Sequence, residues 1–114
     1  MSTRAAIGYQ TENGLKLIYS HYDGYPSHVG KMLVTYHNTF EDAKQLTEGH
    51  SIRLFKQDGS VERFQDGDAF YAESVEDGID GFDYLYLFDQ QEQHWKCLKA
   101  GLSYRGETVE NIVI

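Results

Sequence analysis

The chain reads as an α+β domain, a small antiparallel or mixed β-sheet with one or two helices packed on one face. Three observations predict it. Asn13-Gly14 stands between two extended, alternating runs. Val29, Leu33, Tyr36 and Phe40 recur at spacings of four, three and four, the stripe of one helical face. Beyond Ser51 the apolar runs are short, and Asp-Gly pairs punctuate them.

The first run, Arg4 to Thr11, sets Ile7 and Tyr9 against small Ala6 and Gly8. Glu12-Asn13-Gly14 follows, and Asn-Gly is the pair a type I′ hairpin turn prefers. Leu15 to His21 is the return strand, Leu15, Leu17 and Tyr19 alternating with Lys16, Ile18 and Ser20. Tyr22 to Pro26 is a loop leading into the first helix. A second helix is expected from Phe40 to Glu48, capped by Thr39, stopped by Gly49, with Phe40, Ala43 and Leu46 inward.

Ser51 to Gln57 and Ser60 to Gln65 flank Asp58-Gly59 as a second hairpin. Tyr84 to Phe88 is apolar on both parities, as a central strand is. His94 to Lys99, with Trp95 and Cys97 on one face, is its partner. Thr108 to Ile114 is a last strand whose apolar end must dock on this sheet or on a neighbouring copy.

With 114 residues and no linker, residues 1–114 form one domain. Ten basic against eighteen acidic residues leave a formal charge of −8. Such a surface repels a phosphate polymer, since Lys and Arg carry that affinity, so long nucleic acid and anionic membrane are not expected partners. No run approaches the ~18 apolar residues of a membrane span. Met1-Ser2-Thr3-Arg4 lacks the apolar run of a secretory leader. The single cysteine, Cys97, fits a reducing compartment and a core position.

The most distinctive stretch is His21-Tyr22-Asp23-Gly24-Tyr25, between a strand and a helix start. Rings and a glycine-opened backbone there suit stacking and hydrogen bonding to a nucleotide. A plain structural turn, with Asp23 satisfying backbone N–H groups, uses the same residues. Of the four arginines, Arg4 opens the first strand and Arg105 stands beside Gly106, which lets a ligand approach the backbone. A guanidinium fork suits phosphate better than an ammonium. The five histidines show no metal-ligand spacing, so no metal is expected. Asp77, Asp80 and Asp83 lack calcium-loop spacing and read as an acidic solvated loop. No nucleophile elbow, phosphate loop or paired acid and base is present, which favours binding over catalysis and requires no cofactor. Nine tyrosines and the apolar end point to a homo-oligomer.

Ser2-Thr3-Arg4, Tyr19-x-His21-Tyr22-Asp23-Gly24-Tyr25 and the helical Gly30-x-x-Leu33-x-x-x-Tyr36 together resemble a family of small tailed-phage proteins. Tyr84-Leu85-Tyr86 followed by Trp95 resembles that family's closing hairpin. The family is similar to the Thoeris anti-defence sponges, small α+β oligomers that hold cyclic ADP-ribose isomers at a subunit interface without cleaving them. The match departs between Asp66 and Asp83, where the family carries arginines and this chain is acidic.

The resemblance implies a non-enzymatic phage protein of the host bacterial cytoplasm that sequesters a small cyclic nucleotide immune signal. It carries Arg4, His21, Tyr22, Asp23, Gly24 and Tyr25 as ligand-binding residues; Arg105 joins them from the bottom-up reading alone. An acidic phage protein that binds and inhibits a host protein is the alternative, since charge steers association. A small hydrolase acting through His21 and Asp23 ranks third.

Overall fold

A computed structural model of the chain describes residues 3–100 and the strand Val109–Ile112. The fold is α+β, a mixed sheet with helices on both faces. Strand β1 (Ala5–Thr11) turns through Glu12-Asn13 into β2 (Gly14–Ser20), pairing antiparallel from Ala5↔Ser20 to Thr11↔Gly14. The turn is not type I′. Neither Glu12 nor Asn13 takes positive φ; Gly14 alone does, at +116°.

One π-helical turn over Pro26–Gly30 runs into α1 (Lys31–Tyr36), and α2 spans Phe40–Thr47. The apolar stripe thus belongs to two short helices. The first ends at His37, whose Nε2 donates to Gly59 O (2.6 Å) while its carbonyl accepts Trp95 Nε1 (2.8 Å). Thr39 caps α2 as expected, its Oγ1 accepting Asp42 N at 3.1 Å. The far end of α2 is held by Arg63, which donates to Leu46 O (3.1 Å) and His50 O (2.6 Å), a cation at the negative end of the helix.

Strands β3 (Ile52–Phe55) and β4 (Val61–Arg63) form the second hairpin. Two elements escape sequence patterning: β5 (Phe70–Ala72), and α3 (Val75–Ile79), capped by Ser74. The acidic Asp77 to Asp83 stretch thus begins inside a helix. Strands β6 (Tyr84–Asp89), β7 (His94–Ala100) and β8 (Val109–Ile112) complete the sheet. The order is β4-β3-β2-β1-β6-β7-β8, with β5 also pairing β2. Among the described strands only β1–β6 and β2–β3 pair in parallel.

Strand alternation divides the core in two. Ala5, Ile7, Tyr9, Ile18, Tyr86, Trp95 and Cys97 pack under α1 and α2 with Leu33, Ala43 and Leu46. Ala6, Leu15, Leu17 and Leu85 point the other way and meet Ile79 of α3. The expected helices lie on one face as read; α3 is an addition on the opposite one.

Candidate functional site

The His21–Tyr25 segment leaves the sheet where β2 ends, and hydrogen bonds to β3, to the residue Thr3 ahead of β1 and from a side chain of β6 fix its backbone. His21 N donates to Ile52 O (3.0 Å) and Tyr22 N to Arg53 O (3.1 Å), prolonging the pairing with β3. Asp23 takes φ +55°, a left-handed conformation acidic and amide residues tolerate best. Gly24 N donates to Thr3 O at 2.9 Å, ahead of β1. A Cβ on Gly24 would stand 2.7 Å from that oxygen, so only glycine admits the approach. The hydroxyl of buried Tyr86, in β6, donates to Gly24 O at 2.6 Å.

This anchoring divides the segment's side chains. His21 shares a hydrogen bond through Nδ1 with the Tyr19 hydroxyl. Its ring stands edge-on to Tyr22 (centroids 4.4 Å apart), Phe64 (5.7 Å) and Tyr19 (5.6 Å). Tyr19 reaches Phe82 at 5.8 Å, and Phe82 lies parallel to Phe70 at 5.9 Å. The result is a row of half-exposed rings along the α3 face, ending at exposed Tyr22. Over Tyr22 lies the Arg53 guanidinium, 5.5 Å from the ring centroid. The register of β3 against β4 shifts between Ile52 and Leu54, so Arg53 sits on a β-bulge, a device that re-aims a side chain. Its Nη1 also donates to Glu62 Oε1 at 2.9 Å.

Arg4 is exposed one residue before β1, beside the ring row: its N–H donates to Asp83 Oδ2 (2.9 Å) and its carbonyl accepts Asp83 N (2.9 Å). By alternation from Ala6, its side chain belongs to the same face as Tyr19 and His21.

Asp23 and Tyr25 do not join the row. The Tyr25 hydroxyl donates to Asp23 Oδ1 at 3.1 Å, and that bond to a carboxylate raises its pKa above the usual tyrosine value. The Tyr25 ring lies 6.5 Å from that of His28, which borders a hollow of about 350 Å³ with Lys31, Tyr36 and Gln57. His28 itself is structural, its Nε2 donating to Phe55 O at 2.9 Å.

Of the sequence-predicted site, then, His21 and Tyr22 meet ring to ring, Arg4 is tied by its backbone to Asp83 at the same end of the sheet, Gly24 is the buried anchor, and Asp23 and Tyr25 form a rim. Arg105 lies outside the described residues. The arginine that stacks on the segment is Arg53, with Phe64 beside it, and sequence reasoning passes over both. Their signal is topological: β3 must return parallel to β2 across two helices to bring them there.

A hollow of about 540 Å³ lies at the opposite ends of β1 and β6, lined by Gln10, Leu87, Asp89, Gln90, Gln91 and Lys96. There Lys96 holds the Asp89 carboxylate down to about 2 through a 2.9 Å ion pair. The ring row is the better stacking surface, since bases stack on open aromatic platforms.

Among the described residues no three potential ligands converge on a metal position. No described helix is long and apolar enough to cross a membrane. Cys97 is buried, and burial pushes its thiol up to about 11, the reverse of an activated nucleophile. Comparison with protein-family models, with curated proteins and with solved structures finds no match to this chain.

Proposed function

We propose that this protein is a non-enzymatic phage anti-defence sponge that binds a small cyclic nucleotide signal and withholds it from a host receptor. The observation that carries the reading is the ring row of Tyr19, His21, Tyr22 and Phe64 with the Arg53 guanidinium over its exposed end. A base stacks on such a row for about 1–3 kcal/mol. Each charge-assisted bond from arginine to phosphate adds about 1.5–3 kcal/mol. A few such contacts approach the roughly −12 kcal/mol of nanomolar binding, which competition with a receptor demands. The motif resemblance and the lack of an assembled nucleophile, acid and base among the described residues support binding over turnover. The reading includes action in the host bacterial cytoplasm, as a homo-oligomer with Arg105 contributing to the ligand.

Titration calorimetry with cyclic mono-, di- and trinucleotides and cyclic ADP-ribose isomers tests it. At least one ligand is expected to bind and to be recovered intact after heat denaturation of the protein. Silence across the whole set overturns the proposal, and a cleaved ligand replaces it with a hydrolase. The net charge of −8 favours a second reading, an acidic phage protein that docks on a basic host surface and inhibits it. A salt-sensitive complex with a single host protein, together with calorimetric silence, selects it.

A further inference from the structure

We infer that Glu62 and Asp23 set the charge of the ligand, admitting singly charged phosphodiesters and rejecting terminal polyphosphates. The inference rests on the nucleotide-binding reading and adds to it a specificity rule.

The rule comes from the carboxylates near the Arg53 guanidinium. Arg53 is not a bare cation. Its Nη1 is occupied by Glu62 at 2.9 Å, and its face is occupied by Tyr22. Both side chains of the pair are less than half exposed, 41% and 44%, so water screens it only in part. A phosphate reaching Arg53 must share the fork with Glu62 through the remaining N–H groups.

Around the same end of the sheet stand two more carboxylates. Asp83 receives the backbone N–H of Arg4, and Asp23 receives the Tyr25 hydroxyl. The Arg53 guanidinium beside Tyr22 thus already has the Glu62 carboxylate as its partner, and Asp23 follows Tyr22 directly in the chain. A phosphodiester brings one negative charge and finds one guanidinium to match it. A triphosphate brings several on adjacent atoms, and those beyond the first meet Glu62 and Asp23. At about 6 Å and near-aqueous screening, each uncompensated pair of like charges weakens binding about threefold.

Removing a carboxylate should then help polyanions more than diesters. Glu62→Gln keeps an oxygen to accept from Arg53 and loses only the charge. Asp23→Asn acts outside the β3–β4 hairpin, and asparagine suits φ +55° as well as aspartate does. It stands as the independent variant should the hairpin not tolerate the first.

The probes are 3′,5′-cyclic adenosine monophosphate and ATP, each titrated at one fixed salt concentration into wild type and both folded variants. Wild type is expected to prefer the cyclic diester. Each variant should bind the diester about threefold more tightly and ATP about tenfold more tightly, narrowing the gap. Arg53→Lys keeps the charge without the fork or the stack and should weaken the diester about tenfold. Binding of both probes with no change in their ratio in any variant overturns the charge rule and leaves the nucleotide reading standing. Binding of neither probe to any of the proteins overturns the inference for cyclic diesters; silence across the wider calorimetric set overturns the function itself.

Discussion

The same strands finish their two faces differently. On the α1 and α2 face the alternating residues disappear under two helices, with Tyr86, Ile7, Ile18 and Cys97 almost fully buried. On the other face α3 is only five residues long and covers Leu15, Leu17 and Ala6. At its edge Phe70 and Phe82 pack against this cluster, and they, Tyr19, His21 and Phe64 stay half-exposed. Apolar area buried on the first face stabilises the fold at about 25 cal/mol per Å². Aromatic area left open on the second is available to a ligand. A face closed by helices serves stability, and in the proposed function the face left as rings serves contact.

The hardest way to break this comparison is to disturb the strand common to both faces. Gly8 lies mid-strand in β1, and a Cβ there would stand 1.8 Å from the backbone oxygen of Lys16. Backbone on both sides cannot yield without opening the hairpin. Gly8→Ala is therefore expected to cost about 3 kcal/mol or prevent folding, read from the urea midpoint. Wild-type stability in that variant would mean that β1 and β2 do not approach as described.

Tyr86 sharpens the comparison, because it belongs to the closed core and yet holds the loop that carries the open site. Tyr86→Phe leaves Gly24 O without its buried donor and should cost about 1–3 kcal/mol. It should also weaken nucleotide binding, although Tyr86 touches no ligand, since the loop loses its mooring.

Burial raises the Tyr86 pKa above its ordinary 10.0, and burial likewise moves the Cys97 thiol from 9.0 to about 11. Both acids ionise more readily when unfolded. The stability they represent is whole below pH 9.0, falls as Cys97 ionises in the unfolded chain, and falls further past pH 10.0. Unfolding midpoints measured along an alkaline series should decline in that order, and Tyr86→Phe should flatten only the later part. A midpoint that holds level to pH 11 would show that neither group is buried as described.

Local chemistry made much of this legible in the sequence. Asn13-Gly14 marks the first hairpin, Thr39 marks its helix start, and the parity of Trp95 and Cys97 marks a buried face. Partner choice between distant strands carries no such mark. That β1 lies parallel to β6, and β2 to β3, follows from how the helices return the chain over the sheet. The site divides along the same line. His21, Tyr22 and Gly24 announce themselves as a contiguous motif. Arg53 does not, because its importance lies in a bulge and a parallel crossing that no window of neighbours contains. Gly49 fails in a related way: it stands at a helix end as a stop should, yet its missing side chain makes room for the Arg63 guanidinium. Strand β5 and helix α3 are too short for a periodic pattern to register.

The smallest expected effect separates the two faces most cleanly. Ser20 is the last residue of β2, next to His21, and is wholly buried. Its Oγ has no hydrogen-bond partner among the described residues. By alternation with Ile18 it points to the closed face, while His21 points to the open one. A buried hydroxyl without a partner keeps its desolvation cost and gains nothing in return, so Ser20→Ala should stabilise the protein by about 1 kcal/mol. Nucleotide affinity should stay unchanged, although the substitution adjoins the site. A destabilised Ser20→Ala would show that the hydroxyl bonds to a group beyond the described residues. A changed affinity at unchanged stability would show that the closed face also takes part in binding, and that the division between the two faces does not hold.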